Sequence, residues 1–229
     1  MKRYIDLHLR PKPGEFESLI TEVKLLGYSC VASTNSNSRE ASTNIDVASR
    51  VDLEPRRGSD LLDQLRKVRS RFEVVAVKCI NKDVARQAAK DHRVDILLFP
   101  EDLTIRRNAR LDTQEAKLAS EVDCCYEINA SELLFTGETR LAKLATVIKR
   151  ELEVARRFDV PVILSSGAST SMGLREPKAL AAMTVLLDVS EEAAVEMQTT
   201  TPDRLLRRNR AKLSEEYVSP GVRRIADAG

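Results

Sequence analysis

The chain is 229 residues long, with 42% hydrophobic and 4% aromatic residues and no tryptophan. This composition is ordinary for a globular protein, and the length allows one large domain or two small ones with a core of Leu, Ile, Val and Ala. The formal net charge is only +2, because 37 basic residues are balanced by 35 acidic ones. Charge alone therefore does not indicate a nucleic-acid partner, and any such function has to rest on local clusters of basic residues.

Cysteine content and hydropathy predict the compartment. The four cysteines, Cys30, Cys79, Cys124 and Cys125, form no CxxC pair, which predicts small buried thiols in a reducing compartment. Neither a signal peptide nor an apolar run of membrane-spanning length is visible. We therefore expect a soluble, cytoplasmic protein with no membrane partner.

Seven short apolar segments have the pattern of β-strands. The first, RYIDLHL, alternates Ile5, Leu7 and Leu9 on one face with Asp6 and His8 on the other. The predicted strands cover residues 3–9, 28–33, 47–54, 74–80, 94–99, 122–128 and 160–164.

Helical patterns lie between most of these strands. The longest, residues 139–158, spaces Leu141, Leu144, Ile148 and Leu152 by three or four positions. Other helices are predicted at residues 16–26, 58–72, 83–90, 112–120 and 175–187, after Asn129, and after the expected N-caps Ser190 and Thr201. A polar loop is predicted at residues 34–43, which are rich in Asn and Ser.

The alternation of strand and helix, repeated about seven times without a linker, predicts a parallel sheet covered on both sides. The length approaches the roughly 250 residues usual for a β/α barrel, but no eighth strand is visible after residue 187. We therefore predict an α/β fold, a distorted or incomplete TIM-like barrel with about seven parallel strands and extra C-terminal helices. It occupies residues 1–212, with a polar tail at 213–229. The alternative is a doubly wound open sheet, although no GxGxxG follows the first strand.

Polar side chains are predicted to collect at the mouth of this barrel, where the strands end. The polar mouth comprises Asp6, His8, Glu54, Ser165 and Ser166. A hydrolytic metal site needs several converging His and carboxylate ligands, and Asp6, His8 and Glu54 make a thin set. Hydrogen-bonded polar groups are the favoured interpretation, so we assign neither a metal site nor a catalytic residue.

Basic residues are concentrated in three places, and arginine suits bidentate contact with phosphate. The clusters are Arg56, Arg57, Arg66, Lys67, Arg69 and Arg71; Arg106, Arg107 and Arg110; and Arg204, Arg207, Arg208, Arg210 and Lys212. Each cluster taken alone is more often a solvated helix face. Since no aromatic residue is interleaved with them, contact with a nucleic-acid backbone is favoured over stacking on bases.

Residues 165–173 are almost entirely small and hydroxylic, and they lead from a predicted strand into a helix with Pro177 in its first turn. Backbone N–H groups and hydroxyls in such a turn suit an anion such as a phosphate oxygen, and Arg175 and Lys178 border it. A surface loop that only reverses the chain is the somewhat favoured alternative.

Several motifs resemble those of one family. They are YIDLHLRP at residues 4–11, DILLFP at 95–100, CYEIN at 125–129, and VILSSGA, LREPKAL and TPDRLLRRN between 162 and 209. In these segments the chain resembles the archaeal ribonuclease P protein component 3 family, which is homologous to a eukaryotic ribonuclease P/MRP subunit. The similarity covers about residues 6–209, and SSGA through LREP is its most specific part.

This resemblance implies a β/α-barrel-like fold related to metal-dependent phosphoesterases of the polymerase and histidinol phosphatase (PHP) type. It also implies a protein that assists a catalytic RNA in removing the 5′ leader from precursor tRNA, alongside a Pop5-type subunit and other ribonuclease P proteins. Magnesium is then expected for the RNA enzyme and no cofactor for the protein. PHP enzymes begin with an HxH ligand pair, whereas this chain reads Asp6-Leu7-His8, a departure that fits a scaffold role.

The leading hypothesis is therefore an RNA-binding subunit of ribonuclease P that is not itself catalytic and meets precursor tRNA indirectly. The expected RNA contacts are Arg106, Arg107, Arg175, Lys178, Arg86 and Lys78. One alternative is a stand-alone PHP-type phosphoesterase that uses Asp6, His8 and Glu54. Another is a protein scaffold without RNA contact. Val189, Leu205 and Leu206 either pack on a partner or close the barrel.

Overall fold

A computed structural model describes residues 2–34, 45–214, 216–219 and 222–223. Seven parallel strands lie side by side in chain order and form one sheet. They are β1 (Ile5–Leu9), β2 (Cys30–Ser33), β3 (Asp46–Leu53), β4 (Val74–Lys78), β5 (Ile96–Leu98), β6 (Cys125–Asn129) and β7 (Val162–Ser165). Sheet order that follows chain order is the topology of a β/α barrel.

Helices connect the strands and cover the outside of the sheet. They are α1 (Phe16–Leu25), α2 (Gly58–Val68), α3 (Lys82–Ala89), α4 (Leu103–Ala109), α5 (Thr113–Glu121), α6 (Ala130–Leu134), α7 (Glu138–Arg157), α8 (Pro177–Met183), α9 (Glu191–Glu196) and α10 (Thr200–Leu213). Two 3-10 turns, Ser171–Gly173 and Thr184–Leu187, flank α8. Within the described residues, no helix is both long enough and apolar enough to cross a membrane.

Among the described residues, no eighth barrel strand lies in the seam between β1 and β7, which other contacts close. At the carboxyl end, Leu9 bridges Ala168, and the Arg10 N–H donates to the Ala168 carbonyl at 2.8 Å. At the start of β1, the Ile5 N–H donates to the Gln198 carbonyl at 2.8 Å, and within β7 the Leu164 N–H donates to the Met197 carbonyl at 3.1 Å. Two carbonyls between α9 and α10 thus accept the bonds that an eighth strand would accept. The prediction of an incomplete, seven-stranded TIM-like barrel is confirmed.

The carboxylate of Asp6 fills the middle of the same seam. Its Oδ1 accepts hydrogen bonds from the backbone N–H of His8 and of Ser166, both at 3.1 Å. The side chain is fully buried, and burial raises the pKa of Asp6 against the opposing effect of these bonds. Asp6 therefore closes the barrel by satisfying backbone groups on both strands.

The amino end of the barrel interior is plugged by α10. Leu205 and Leu206 are buried in one apolar cluster with inward-facing strand residues such as Leu7, Ile96 and Ile163. These two leucines therefore close the barrel and are not surface for a partner. All four cysteines are buried and free, as the sequence predicts.

Three local features differ from the predicted elements, and two of them have an identifiable cause. Helix α4 occupies a segment that was expected to be a connection, and the Asp102 side chain caps it by accepting the Thr104 N–H at 2.8 Å. Strand β6 begins later than predicted because the Cys124 N–H still bonds to the Ala119 carbonyl at the end of α5. Two short strands, β8 (Tyr217–Ser219) and β9 (Val222–Arg223), pair within the expected tail. Residues 35–43 of the predicted polar loop lie outside the described residues.

We predict that Asp6→Ala lowers the free energy of unfolding by roughly 1–3 kcal/mol for each backbone N–H left without an acceptor. Asp6→Asn is the matched control, because its amide oxygen retains an acceptor at the same place. Urea unfolding followed by circular dichroism measures both. Equal destabilisation by the two variants would contradict the closing role of Asp6.

Candidate functional site

A buried ion-pair network fills the barrel interior at the carboxyl ends of the strands. Its centre is the guanidinium of Arg50, which β3 directs inward and which is fully buried. Its Nη1 and Nη2 donate to the two oxygens of Glu127 at 2.9 and 2.6 Å, and its Nε donates to Asp52 at 2.7 Å. Nη1 also donates to the Leu7 carbonyl at 2.6 Å. The guanidinium therefore links β1, β3 and β6.

His8 completes this network. Its Nε2 lies 2.9 Å from Asp52 Oδ2, and its Nδ1 lies 2.9 Å from Asn129 Oδ1 and 3.3 Å from Glu127 Oε2. Burial and the charge of Arg50 oppose protonation, but the two carboxylates outweigh them and raise the pKa of His8. Burial likewise opposes charge on Glu127, yet Arg50 and His8 lower its pKa to about 2. Both ring nitrogens of His8 thus face oxygen atoms of the network.

The network leaves no vacant set of ligands for a metal ion. Asp52 directs one oxygen at Arg50 and the other at His8, and both oxygens of Glu127 contact Arg50. Ser165 Oγ donates to Glu127 Oε1 at 2.5 Å as well. Across the described residues, no three His, Cys, Asp or Glu side chains converge as a metal site would require. The guanidinium occupies the position among the carboxylates where a bound cation would lie.

The structure divides the five predicted mouth residues among three places. His8 and Ser165 belong to the ion-pair network, whereas Asp6 and Ser166 lie in the β1–β7 seam. Glu54 is exposed at the rim, where it pairs with Lys78. Asp6, His8 and Glu54 therefore do not form the ligand set that the phosphoesterase alternative requires.

Sequence reasoning missed the residues at the centre of the network. Arg50 and Asp52 follow the small residue Ala48 at every second position of β3, which are its inward positions. Glu127 is the inward residue between Cys125 and the end of β6. Opposite charges at inward positions of two strands were the available signal, since isolated buried charges are costly.

Arg106 is enclosed in a second buried network and does not belong with the exposed cations. It is 1% exposed, and its Nη2 donates to Glu151 at 2.7 Å and to the Tyr126 hydroxyl at 2.9 Å. Its Nη1 donates to Glu132 at 3.0 Å. A guanidinium enclosed in this way has no face for a phosphate, so the expectation that Arg106 contacts RNA is corrected. It instead anchors α4 to β6, α6 and α7.

The other five predicted RNA contacts differ in the hydrogen bonds and ion pairs that they form within the protein. Arg107 and Lys178 are exposed and form no ion pair within the described residues. Arg175 Nη1 donates to the Met172 and Leu174 carbonyls at 2.9 and 2.6 Å. Arg86 lies 3.5 Å from Glu115, and Lys78 pairs with Glu54.

The arginines of α10 hold that helix against the amino end of the barrel. Arg208 pairs with Asp95 at 3.2 Å and with Asp123 at 2.7 Å. Arg210 pairs with Asp46 at 2.7 Å and with Glu73 at 2.6 Å. Arg208 and Arg210 therefore have a structural role, which differs from the solvated helix face that was the alternative interpretation of this cluster.

The open mouth above the central network has mixed charge. A cavity of about 410 Å³ is lined there by Glu54, Glu101 and Glu132 as well as by Arg10 and Lys78. His8 belongs to the same lining, so acidic and basic side chains face one another in this cavity.

We predict that Arg50→Met costs roughly 3–5 kcal/mol of unfolding free energy, because it leaves Asp52 and Glu127 as uncompensated buried charges. The double variant Arg50→Met/Glu127→Gln should regain part of this loss, because one of the orphaned charges is removed. Urea unfolding of wild type, both single variants and the double variant measures the coupling. Strictly additive effects would contradict the network.

We also predict that the titration of Glu132 makes the free energy of unfolding depend on pH. Burial raises the pKa of Glu132 to about 7 although Arg106 opposes the shift. A carboxyl with a raised folded-state pKa stabilises the fold below its ordinary pKa, and this stability is lost as the pH rises through about 7. Each unit of pKa difference corresponds to about 1.4 kcal/mol. Unfolding free energies from pH 5 to 8 should therefore fall less steeply in Glu132→Gln than in wild type, and parallel profiles would refute this.

Comparison with known proteins places the chain in one family. It matches the family model described as RNase P subunit p30 across residues 3–214. Ribonuclease P protein component 3 of Methanosarcina barkeri is 30% identical over 193 residues, covering 81% of this chain and 80% of the relative. The protein of the same name from Methanosarcina mazei is 28% identical over 214 residues, covering 90% and 87%.

Solved structures share the fold. A chain in the cryo-EM structure of archaeal ribonuclease P with mature tRNA matches with a TM-score of 0.82 and 22% identity, over 98% of this chain and 99% of that one. Histidinol phosphate phosphatase from Lactococcus lactis matches with a TM-score of 0.52 and 10% identity, over 83% and 94%. Such identities establish only the shared architecture. The family match confirms the resemblance seen in the motifs: the chain belongs to the RNase P subunit p30 family.

Proposed function

We propose that this chain is a protein subunit of ribonuclease P and supports the catalytic RNA that removes the 5′ leader from precursor tRNA. The observation that carries the proposal is the family match, which runs from residue 3 to residue 214 and so includes every strand of the barrel. The chain would meet the ribonuclease P RNA directly and precursor tRNA indirectly.

The isolated protein is proposed not to be catalytic. In its barrel the carboxylates of Asp52 and Glu127 are paired with Arg50 and His8, so these two carboxylates are not free to hold metal or to activate water. The magnesium that a catalytic RNA uses would then be bound by RNA. This supports the subunit over the stand-alone phosphoesterase.

The proposed RNA contacts are cations that the protein leaves exposed around the carboxyl side of the barrel. Arg107 on α4 and Lys178 on α8 come first, because both are exposed and neither has an ion-pair partner in the described part of the chain. Arg175 comes next because its Nη1 is bound only to backbone carbonyls. Lys78 and Arg86 would have to exchange a carboxylate for a phosphate.

The chain is also proposed to pair with a second protein subunit of the Pop5 type, together with other ribonuclease P proteins. Val185 and Leu186 expose apolar side chains on the 3-10 turn after α8. Beside them, a groove of about 430 Å³ runs between α7 and α9 and includes Leu152, Val162 and Met197 in its lining. This apolar surface suits a protein partner more than an RNA backbone.

Salt dependence tests the RNA contacts. Affinity for ribonuclease P RNA should fall with salt at a log–log slope of roughly −0.7 to −0.9 for each phosphate contact. The variant Arg107→Gln/Lys178→Gln should bind more weakly than wild type. Its log–log slope should also be shallower, by roughly 0.7 to 0.9 for each phosphate contact that is lost. It should also need more magnesium for leader cleavage in the reconstituted enzyme.

Arg66→Gln/Lys67→Gln on the solvent face of α2 is the matched control, because it removes the same charge from another exposed surface. An equal loss of affinity in both variants would show that binding depends on the net charge of the protein and not on these two positions. Binding that does not change with salt, or full cleavage by the enzyme without this chain, would argue against the proposed function.

A further inference from the structure

One aromatic side chain is exposed where the barrel opens. Phe135 follows α6, and 64% of its surface is accessible to solvent. Only 4% of the residues in the chain are aromatic. Its ring lies beside Gly173, where a Cβ would come within 3.7 Å of Phe135 Cε2. One edge of the ring is thus held by the loop after β7 while much of the ring stays open to solvent.

Next to this ring lies a polar cleft that contains one arginine. The cleft measures about 150 Å³, and Arg10, Ser131, Ser169 and Thr170 line it together with Phe135. Arg10 donates through Nη2 to the Gly167 carbonyl at 2.9 Å and to Ser131 Oγ at 3.3 Å, and through Nε to the same carbonyl at 3.2 Å. Its Nη1 has no hydrogen bond to any described residue, and the side chain is 34% exposed.

The loop that positions Arg10 requires glycine. Gly167 has φ +64°, and a Cβ there would lie 2.5 Å from Ser131 Oγ and 3.0 Å from Asn129 Cβ. Only glycine combines this backbone conformation with such close approach. The carbonyl that orients Arg10 is therefore fixed against α6, the helix that ends at Phe135.

The charge and size of the cleft indicate what it can hold. Glu101 is the carboxylate in its lining, but it is 53% exposed and its oxygen is 3.8 Å from Arg10, so it neutralises the guanidinium only partly. Pockets that enclose a small molecule usually measure roughly 300–1,000 Å³. This cleft is smaller, so it suits a phosphate with its hydration and leaves the rest of a nucleotide outside, where the ring lies.

We propose that this cleft binds one unpaired nucleotide of a single-stranded RNA segment, with the phosphate on Arg10 and the neighbouring hydroxyls and the base stacked on Phe135. An arginine beside an exposed aromatic ring is the combination that single-stranded RNA recognition uses. The inference rests on the proposed function and deepens it by naming the RNA form. The sequence predicts contact with the RNA backbone alone, because no aromatic residue is interleaved with the basic clusters. Folding brings Phe135 next to Arg10 and so adds a stacking surface.

A protein partner is the competing occupant, since Met172, which precedes Gly173 in the chain, is also exposed. The hydroxyls of Ser131, Ser169 and Thr170 and the guanidinium of Arg10 make the cleft beside the ring polar. A partner protein would desolvate these groups without the charge that a phosphate supplies. The observations therefore favour RNA.

The absence of tryptophan permits a direct test. In the full-length variant Phe135→Trp, the only indole would lie at the proposed stacking position. Titration with a short oligouridine should quench its fluorescence, whereas a blunt RNA duplex should not. Leu25→Trp is the control, because Leu25 is 77% exposed on α1, outside the cleft.

Affinity gives the second measurement. Phe135→Ala should bind the oligouridine roughly 5- to 150-fold more weakly than wild type, while Phe135→Tyr should bind it as wild type does. The salt dependence should not change, because stacking involves no counterion. Wild-type affinity in Phe135→Ala would overturn the inference while leaving salt-dependent RNA binding intact. Quenching of Phe135→Trp by a partner subunit and not by RNA would assign the cleft to protein, and failure to bind any RNA would overturn the proposed function as well.

Discussion

The ion pair between Arg50 and Glu127 is the interaction on which the carboxyl end of the barrel depends. A charged guanidinium in a protein interior is tolerated only when carboxylates and hydrogen-bond acceptors surround it. Here Glu127, Asp52 and the Leu7 carbonyl supply that surrounding from three strands. The same contacts that make the charge acceptable therefore set the spacing of β1, β3 and β6.

The same arrangement determines what the inside of the barrel mouth can bind. Carboxylates on neighbouring strand ends can hold cations when their oxygens are free. In this chain a side-chain cation is permanently present among them, so the inside of the mouth is rigid and electrically balanced. Outside this network, on the rim, Arg107 and Lys178 are exposed and Phe135 lies beside Arg10.

The two ends of the barrel consequently have different roles. At the amino end, α10 inserts Leu205 and Leu206 into the core, and its arginines pair with carboxylates from the strand starts. At the carboxyl end, polar and aromatic groups are left open to solvent. Helix α10 thus packs one end of the barrel, whereas the other end stays accessible.

The sequence by itself determined the βα alternation, the seven strands, the family and the buried thiols, because these depend on local periodicity and on motifs contiguous in the chain. It did not reveal whether a given arginine is exposed. Arg106 and Arg107 are adjacent, yet one is enclosed by Glu132 and Glu151 and the other faces solvent. Only the tertiary structure decided this, because the carboxylates that neutralise Arg50 and Arg106 lie on distant segments, and burial of a charge depends on partners that only folding brings together.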